Sequence, residues 1–248
     1  MNNFYLGIKF ALSYFTVLPI RFREGDDLSH PHVLSSMLYA LPFVGILLAG
    51  VSIGIFEALA PLGWLAAILA SVLYMALYGF IHTEAIIDVA DALYAAHSGK
   101  DPYAVIKEPT VGAMGVLYGV SFLLLKIAAL STLLMHHLFL PFIAIAAISR
   151  LALIVVIRVV EFRSSFVSQL KASLSPIPLI VMVSLYGALG LFTLSWPFAG
   201  LLLLGVVIAV TTATLTRKSL GFLNGDGLGM ALELVELILI LVVVRLWV

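Results

Sequence analysis

The chain has no cysteine, which excludes disulfides, cysteine-held iron–sulfur clusters and thiolate zinc sites. Charge is almost as scarce: only 10% of the 248 residues are Asp, Glu, Lys or Arg, and 13 acids balance 13 bases. A net charge of zero gives no electrostatic case for nucleic acid as a partner. The sequence shows no low-complexity tract and no polar stretch long enough for a soluble domain, and its N-terminus lacks the pattern of a removable signal. What it has in abundance is apolar surface. Hydrophobic residues make up 63% and the mean hydropathy is +1.19. Apolar runs of about 20 residues recur, each long enough to cross a bilayer as a helix. Together these predict an all-α, polytopic helical membrane protein, with residues 1–248 forming a single integral-membrane domain.

Seven spans are expected: Leu34–Ala58, Leu62–Ile81, Val116–Met135, Phe139–Val159, Pro176–Ser195, Phe198–Leu215 and Leu228–Val248. Residues 4–20 hold Lys9 and close on Pro19, which reads as an N-terminal interfacial helix rather than a span. Lysines and arginines fall in the N-terminal segment and in the connections between spans two and three, four and five, and six and seven. The loops around Pro61, His136-His137 and Trp196-Pro197 carry none. By the positive-inside rule, the N-terminus and the basic connections face the cytoplasm and the C-terminus faces out.

Against that background the stretch from His82 to Gly115 stands out. It opens with Glu84, Asp88 and Asp91, spaced i, i+4, i+7, which fall within about 60° of one another on a helix. The start of the last span, GFLNGDGLGMALELVE, carries Asp226, Glu233 and Glu236, which share a face of about 80°. Two helices would thus bring up to six carboxylates to one level. An isolated charge in a membrane helix costs at least about 2.5 kcal/mol, so a divalent cation is expected among them. Carboxylate donors without thiolate suit Mg²⁺ or Mn²⁺. Gly112 and Gly115 precede one helix, and Gly221, Gly225, Gly227 and Gly229 surround the start of another; free amides at such places favour anions. Lys107 precedes the first pair, and Lys126 and Arg150 lie inside spans, where each could hold phosphate or neutralise an acid. Metal, glycine-rich helix starts and cations together point to phosphoryl transfer on a pyrophosphate-containing substrate.

These residues resemble the cobalamin-5′-phosphate synthase family. Its His-x-Asp-Gly-x-x-Asp-x-x-Asp-Gly block is similar to His82-Thr83-Glu84-Ala85-Ile86-Ile87-Asp88-Val89-Ala90-Asp91-Ala92. Its Lys-Asp block followed by Gly-x-x-Gly is similar to Lys107-Glu108 and Gly112-Ala113-Met114-Gly115. A third block stands as Gly225-Asp226-Gly227-Leu228-Gly229 followed by Glu233 and Glu236. Phe15 to Pro19, Leu41 to Gly45 and Ser149-Arg150 extend the likeness over most of the chain. Glu84 and Glu108 stand where the family has Asp, and Ala85 and Ala92 where it has Gly.

The resemblance implies an adenosylcobinamide-GDP ribazoletransferase activity: α-ribazole or its 5′-phosphate attacks the phosphate next to the cobinamide, and GMP leaves. On that reading Glu84, Asp88, Asp91 and Asp226 are metal ligands, and Glu233 or Glu236 is a further ligand or the general base. His82 either moves a proton or caps its helix. Lys107, Lys126, Arg150, Gly112, Gly115 and Gly225 hold phosphate. The expected partners are the two substrates and membrane lipid, and a homo-oligomer is compatible with the chain. Two rival readings are a CDP-alcohol phosphatidyltransferase-like enzyme, whose Asp-Gly-x-x-Ala-Arg pattern the chain lacks, and an ion-coupled transporter, which would need internal repeats with interrupted helices.

Overall fold

The computed structural model describes residues 2–248. Among them the chain forms helices and no strand: α1 (Asn3–Phe15), α2 (Pro31–Ala58), a 3₁₀ turn (Ala60–Leu62), α3 (Trp64–Leu77), α4 (Ile81–His97), α5 (Pro102–Val105), α6 (Ala113–Met135), α7 (Phe139–Val159), α8 (Ser165–Ser173), α9 (Pro176–Leu194), α10 (Trp196–Leu220) and α11 (Gly225–Trp247). Three of the long helices begin about one turn before the apolar pattern does, because polar first turns are invisible to hydropathy. The start of α2 is set by Pro31 and by His30, whose ring accepts from the His32 N–H at 3.1 Å. The start of α11 is set by Asn224, whose side chain accepts from the Gly227 N–H at 3.2 Å. For α6 the cap comes from a distant side chain, described below.

Six helices, α2, α6, α7, α9, α10 and α11, are long and apolar enough to cross a membrane. The expected span at 62–81 takes a different form. Its helix, α3, has only 14 residues, about 21 Å of rise against a hydrocarbon core of about 30 Å. The chain then bends by 78° into α4, and α3 with α4 make a seventh span only if the bent pair is counted as one. The bend is built from two successive left-handed residues, Gly79 (φ +64°) and Phe80 (φ +55°). Glycine takes this conformation freely; Phe80 does so at about 1–2 kcal/mol. The end of α3 is tied to the N-terminal segment, where the Val17 N–H donates to the Leu77 carbonyl at 2.9 Å. With 13 residues, α1 is too short to cross unaided. It packs along α2 and then folds back, Lys9 donating to the Arg21 carbonyl at 2.8 Å.

At the centre stands α7, packed on α2, α10 and α11. It is the most enclosed of the six long helices, whereas α9 sits at the edge, mostly exposed. α4 lies against α11 and α6. α4 and α11 approach closely at Gly229, where a Cβ would come within 2.7 Å of the Ala85 Cβ. This close approach sets the acid stripe of α4 beside the first turn of α11.

Candidate active site

The six acids do not form one cluster. Along α11, Glu233 and Glu236 lie seven and ten residues beyond Asp226, about 10 and 15 Å further along the axis. They are enclosed in the bundle together with Lys126 of α6 and Arg150 of α7; the exposures of Lys126, Arg150, Glu233 and Glu236 are 0%, 2%, 0% and 1%. Lys126 bonds Glu233 and donates to Glu236 Oε2 at 2.8 Å. Arg150 donates to Glu236 Oε1 at 2.5 Å. Tyr78 and Thr83 donate to Glu233 Oε1 at 2.6 and 3.1 Å, and Tyr74 and Ser149 donate to Glu236 Oε1 at 2.9 and 3.1 Å. Two cations and two carboxylates cancel, and hydroxyls fill the remaining valences.

Glu233 and Glu236, expected as metal ligand or general base, and Lys126 and Arg150, expected to hold phosphate, are thus all bonded to one another in the interior. A carboxylate or cation stripped of water pays several kcal/mol, offset here by paired charges and hydrogen bonds. An incoming substrate would have to break those pairs. What the network does is join α3, α6, α7 and α11, and through Thr83 it reaches the first turn of α4.

The other four acids lie along α4 and in the first turn of α11. Glu84 is exposed, and Asp88, Asp91 and Asp226 are half-buried. Asp88 lies within reach of the charges of Asp226, Glu84 and Asp91, and Asp226 within reach of that of Glu84. None of Glu84, Asp88 and Asp226 forms an ion pair among the described residues. Asp226 accepts a bond from the Asn224 amide at 2.7 Å. Asp91 is different. Its two oxygens accept from the Gly112 and Gly115 N–H groups, each at 2.6 Å, so it is the cap that α6 lacks in its own sequence. Gly112 and Gly115 therefore do not offer free amides to an anion; they let a carboxylate approach where a Cβ would strike it. Gly225, the first residue of α11, remains exposed with open space around it.

Among the described residues no three His, Cys, Asp or Glu side chains already converge tightly enough to enclose a metal ion. The donor chemistry nevertheless suits a hard divalent cation: three carboxylates on two crossing helices, none spent on a protein cation.

Cations flank this end of the bundle. Lys107 and Arg163 lie over the Tyr103 ring at 4.1 and 3.6 Å. Tyr103 meets Phe222 edge-on, with centroids 5.0 Å apart. Phe222 packs in a small apolar cluster with Val89 and Ala92 of α4. Lys107 is thus linked to α4 through Tyr103 and Phe222. Arg163 was missed, because its polar segment lies far away in sequence. His82 is buried, stacked on Phe15 with centroids 5.9 Å apart and 24° between planes, and leaning on Tyr78 at 5.4 Å. Among the described residues no side-chain cap bond closes the start of α4. His82 lines a cavity with Asp226.

Fold and site together define a helical, membrane-embedded protein with unpaired carboxylates gathered on two crossing helices beside a small cavity. The match to known families narrows this. The family model described as cobalamin-5-phosphate synthase matches residues 7–244, and the chain belongs to that family. A protein of Clostridium perfringens (strain SM101 / Type A) called adenosylcobinamide-GDP ribazoletransferase is 30% identical, over 95% of this chain and 96% of its own length. Proteins of the same description from Desulforamulus reducens and Chlorobaculum tepidum are each 29% identical, over 92% and 93% of this chain and 92% and 91% of their own lengths. No solved structure matches.

Proposed function

We propose that this chain transfers the cobinamide phosphate of adenosylcobinamide-GDP to α-ribazole or its 5′-phosphate, releasing GMP, with Mg²⁺ (or Mn²⁺) held by Glu84, Asp88 and Asp226. The observation that carries the reading is the α4–α11 crossing, which gathers three carboxylates without cationic partners in a chain that belongs to a family of this activity. A bound divalent cation would supply the positive charge that neutralises a pyrophosphate and favours attack at phosphorus.

The chain's own groups divide the remaining work. Lys107 and Arg163, both against the Tyr103 ring, balance phosphate charge at the mouth of the site. As the acceptor hydroxyl oxygen bonds to phosphorus and the bond to GMP breaks, the proton passes to the carboxylate of Asp226, which shares the cavity lining with His82. Asp91 holds the start of α6, and the buried network holds the α3–α4 corner, so that Glu84 and Asp88 keep their register with Asp226. The basic connections support a site facing the cytoplasm, in the cytoplasmic membrane of a bacterium or archaeon.

The test is GMP release by purified protein in lipid, given both substrates and Mg²⁺, with and without EDTA. Release that stops with EDTA and returns with Mg²⁺ is expected. Release indifferent to EDTA would remove the metal from the site, and no release beside an active control enzyme would remove the activity.

A further inference from the structure

We propose that the cavity between α1, α8 and the first turns of α4 and α11 holds the planar heteroaromatic base of the acceptor nucleoside. This rests on the acceptor being α-ribazole or its phosphate, as above. The cavity measures about 130 Å³. That is close to the cavity of about 150 Å³ in which a single benzene ring binds, so it takes the benzenoid half of a fused two-ring base, leaves the half that carries the ribose at the mouth, and is far too small for a corrin macrocycle. Its lining is aromatic on one side. Tyr14 lies 5.5 Å from Phe166 with their planes 31° apart, and 4.9 Å from Phe15. Leu170 closes the wall from α8, and the lining also holds His82 and Asp226.

The geometry gives the acceptor a direction. Aromatic faces favour an offset or edge-on ring, so the flat base is the part of the molecule this cavity suits. Tyr14 and Gly225 are exposed and Asp226 is half-buried, so the mouth lies on that side. A base seated inward would send its ribose out past Asp226, towards Asp88 and Glu84. The hydroxyl would then arrive where the carboxylates stand, while the large corrinoid stays outside on the open face. The same arrangement gives α1 a purpose: its last turn supplies Tyr14 and Phe15 to the wall.

The test uses full-length protein in lipid nanodiscs and measures binding of α-ribazole alone, then the KM of each substrate. Tyr14→Ala and Leu170→Phe, the second filling the cavity, should each weaken α-ribazole binding and raise its KM by tenfold or more, with the KM for adenosylcobinamide-GDP unchanged. Phe166→Leu keeps the apolar volume and serves if either fails to fold; it should weaken α-ribazole about threefold or more. Wild-type affinity in the folded variants, or an equal rise in both KM values, would overturn the proposal. So would wild type that does not bind α-ribazole. If wild type binds α-ribazole, the variants lose that binding and no GMP is released, the cavity assignment stands and the proposed reaction fails.

Discussion

The backbone N–H of Gly115 donates to Oδ1 of Asp91 at 2.6 Å, and a Cβ on Gly115 would run into that same carboxylate. A residue of α4 thus caps a helix that begins 22 positions later. Asp91→Asn keeps the size but offers one acceptor where two amides need one each. It should lower stability by about 0.5–2 kcal/mol, the cost of losing a helix cap. Thermal unfolding in detergent reads this directly. A variant as stable as wild type would show that the start of α6 does not depend on Asp91.

Asp88→Asn and Asp226→Asn should behave oppositely. Neither residue holds a backbone terminus of another helix, so both variants should elute and unfold as wild type does. Metal-dependent GMP release should fall on the order of 10²-fold or more, the scale of losing one group that stabilises transition-state charge. Full activity in either would sink the assignment of that carboxylate to the metal.

Lys126→Met leaves Glu233 and Glu236 with Arg150 alone, one buried negative charge in excess. Breaking a buried pair from one side costs about 3–5 kcal/mol, and folded yield should drop accordingly. Adding Glu233→Gln restores neutrality and should recover most of the loss. Equal stability of Lys126→Met and wild type would mean that water or a counterion reaches the site.

Much of this was legible in the sequence. Long apolar runs located the helices, and the i, i+4, i+7 spacing of Glu84, Asp88 and Asp91 put them on one face, because both signals are local and periodic. The α3–α4 corner was not legible, since a left-handed Phe80 leaves no mark in residue type and Gly79 alone is a weak sign. Nor was the division of the acids. Glu233 and Lys126 are 107 positions apart, and Glu236 and Arg150 are 86 apart. The available clue was arithmetic: leaving aside Glu57, Arg158 and Arg245 near span ends, the two bases and two acids deeper inside the spans sum to zero, and burial demands that they find each other. Tyr14 and Phe166 were hidden for a simpler reason, as aromatic residues in apolar helices look like ordinary packing.

The α4–α11 crossing can be tested by exchanging one methyl group. Gly229→Ala places a Cβ about 2.7 Å from that of Ala85 and should destabilise the protein by about 1–3 kcal/mol through overpacking. Ala85→Gly in the same chain makes room and should restore much of the loss, a coupling that thermal unfolding of the two single variants and the double variant would measure. Strict additivity would mean that the two helices do not meet there in solution.

The buried charges also set an order of assembly. Lys126 and Arg150 belong to helices made well before α11, and both carboxylates that neutralise them arrive on α11. During synthesis the earlier helices therefore hold two uncompensated positive charges, and a chain interrupted before residue 233 would keep them. The bundle becomes electrically quiet only when α11 docks. The same docking sets Asp226 beside Asp88, so a partly built protein has neither a settled interior nor a complete site.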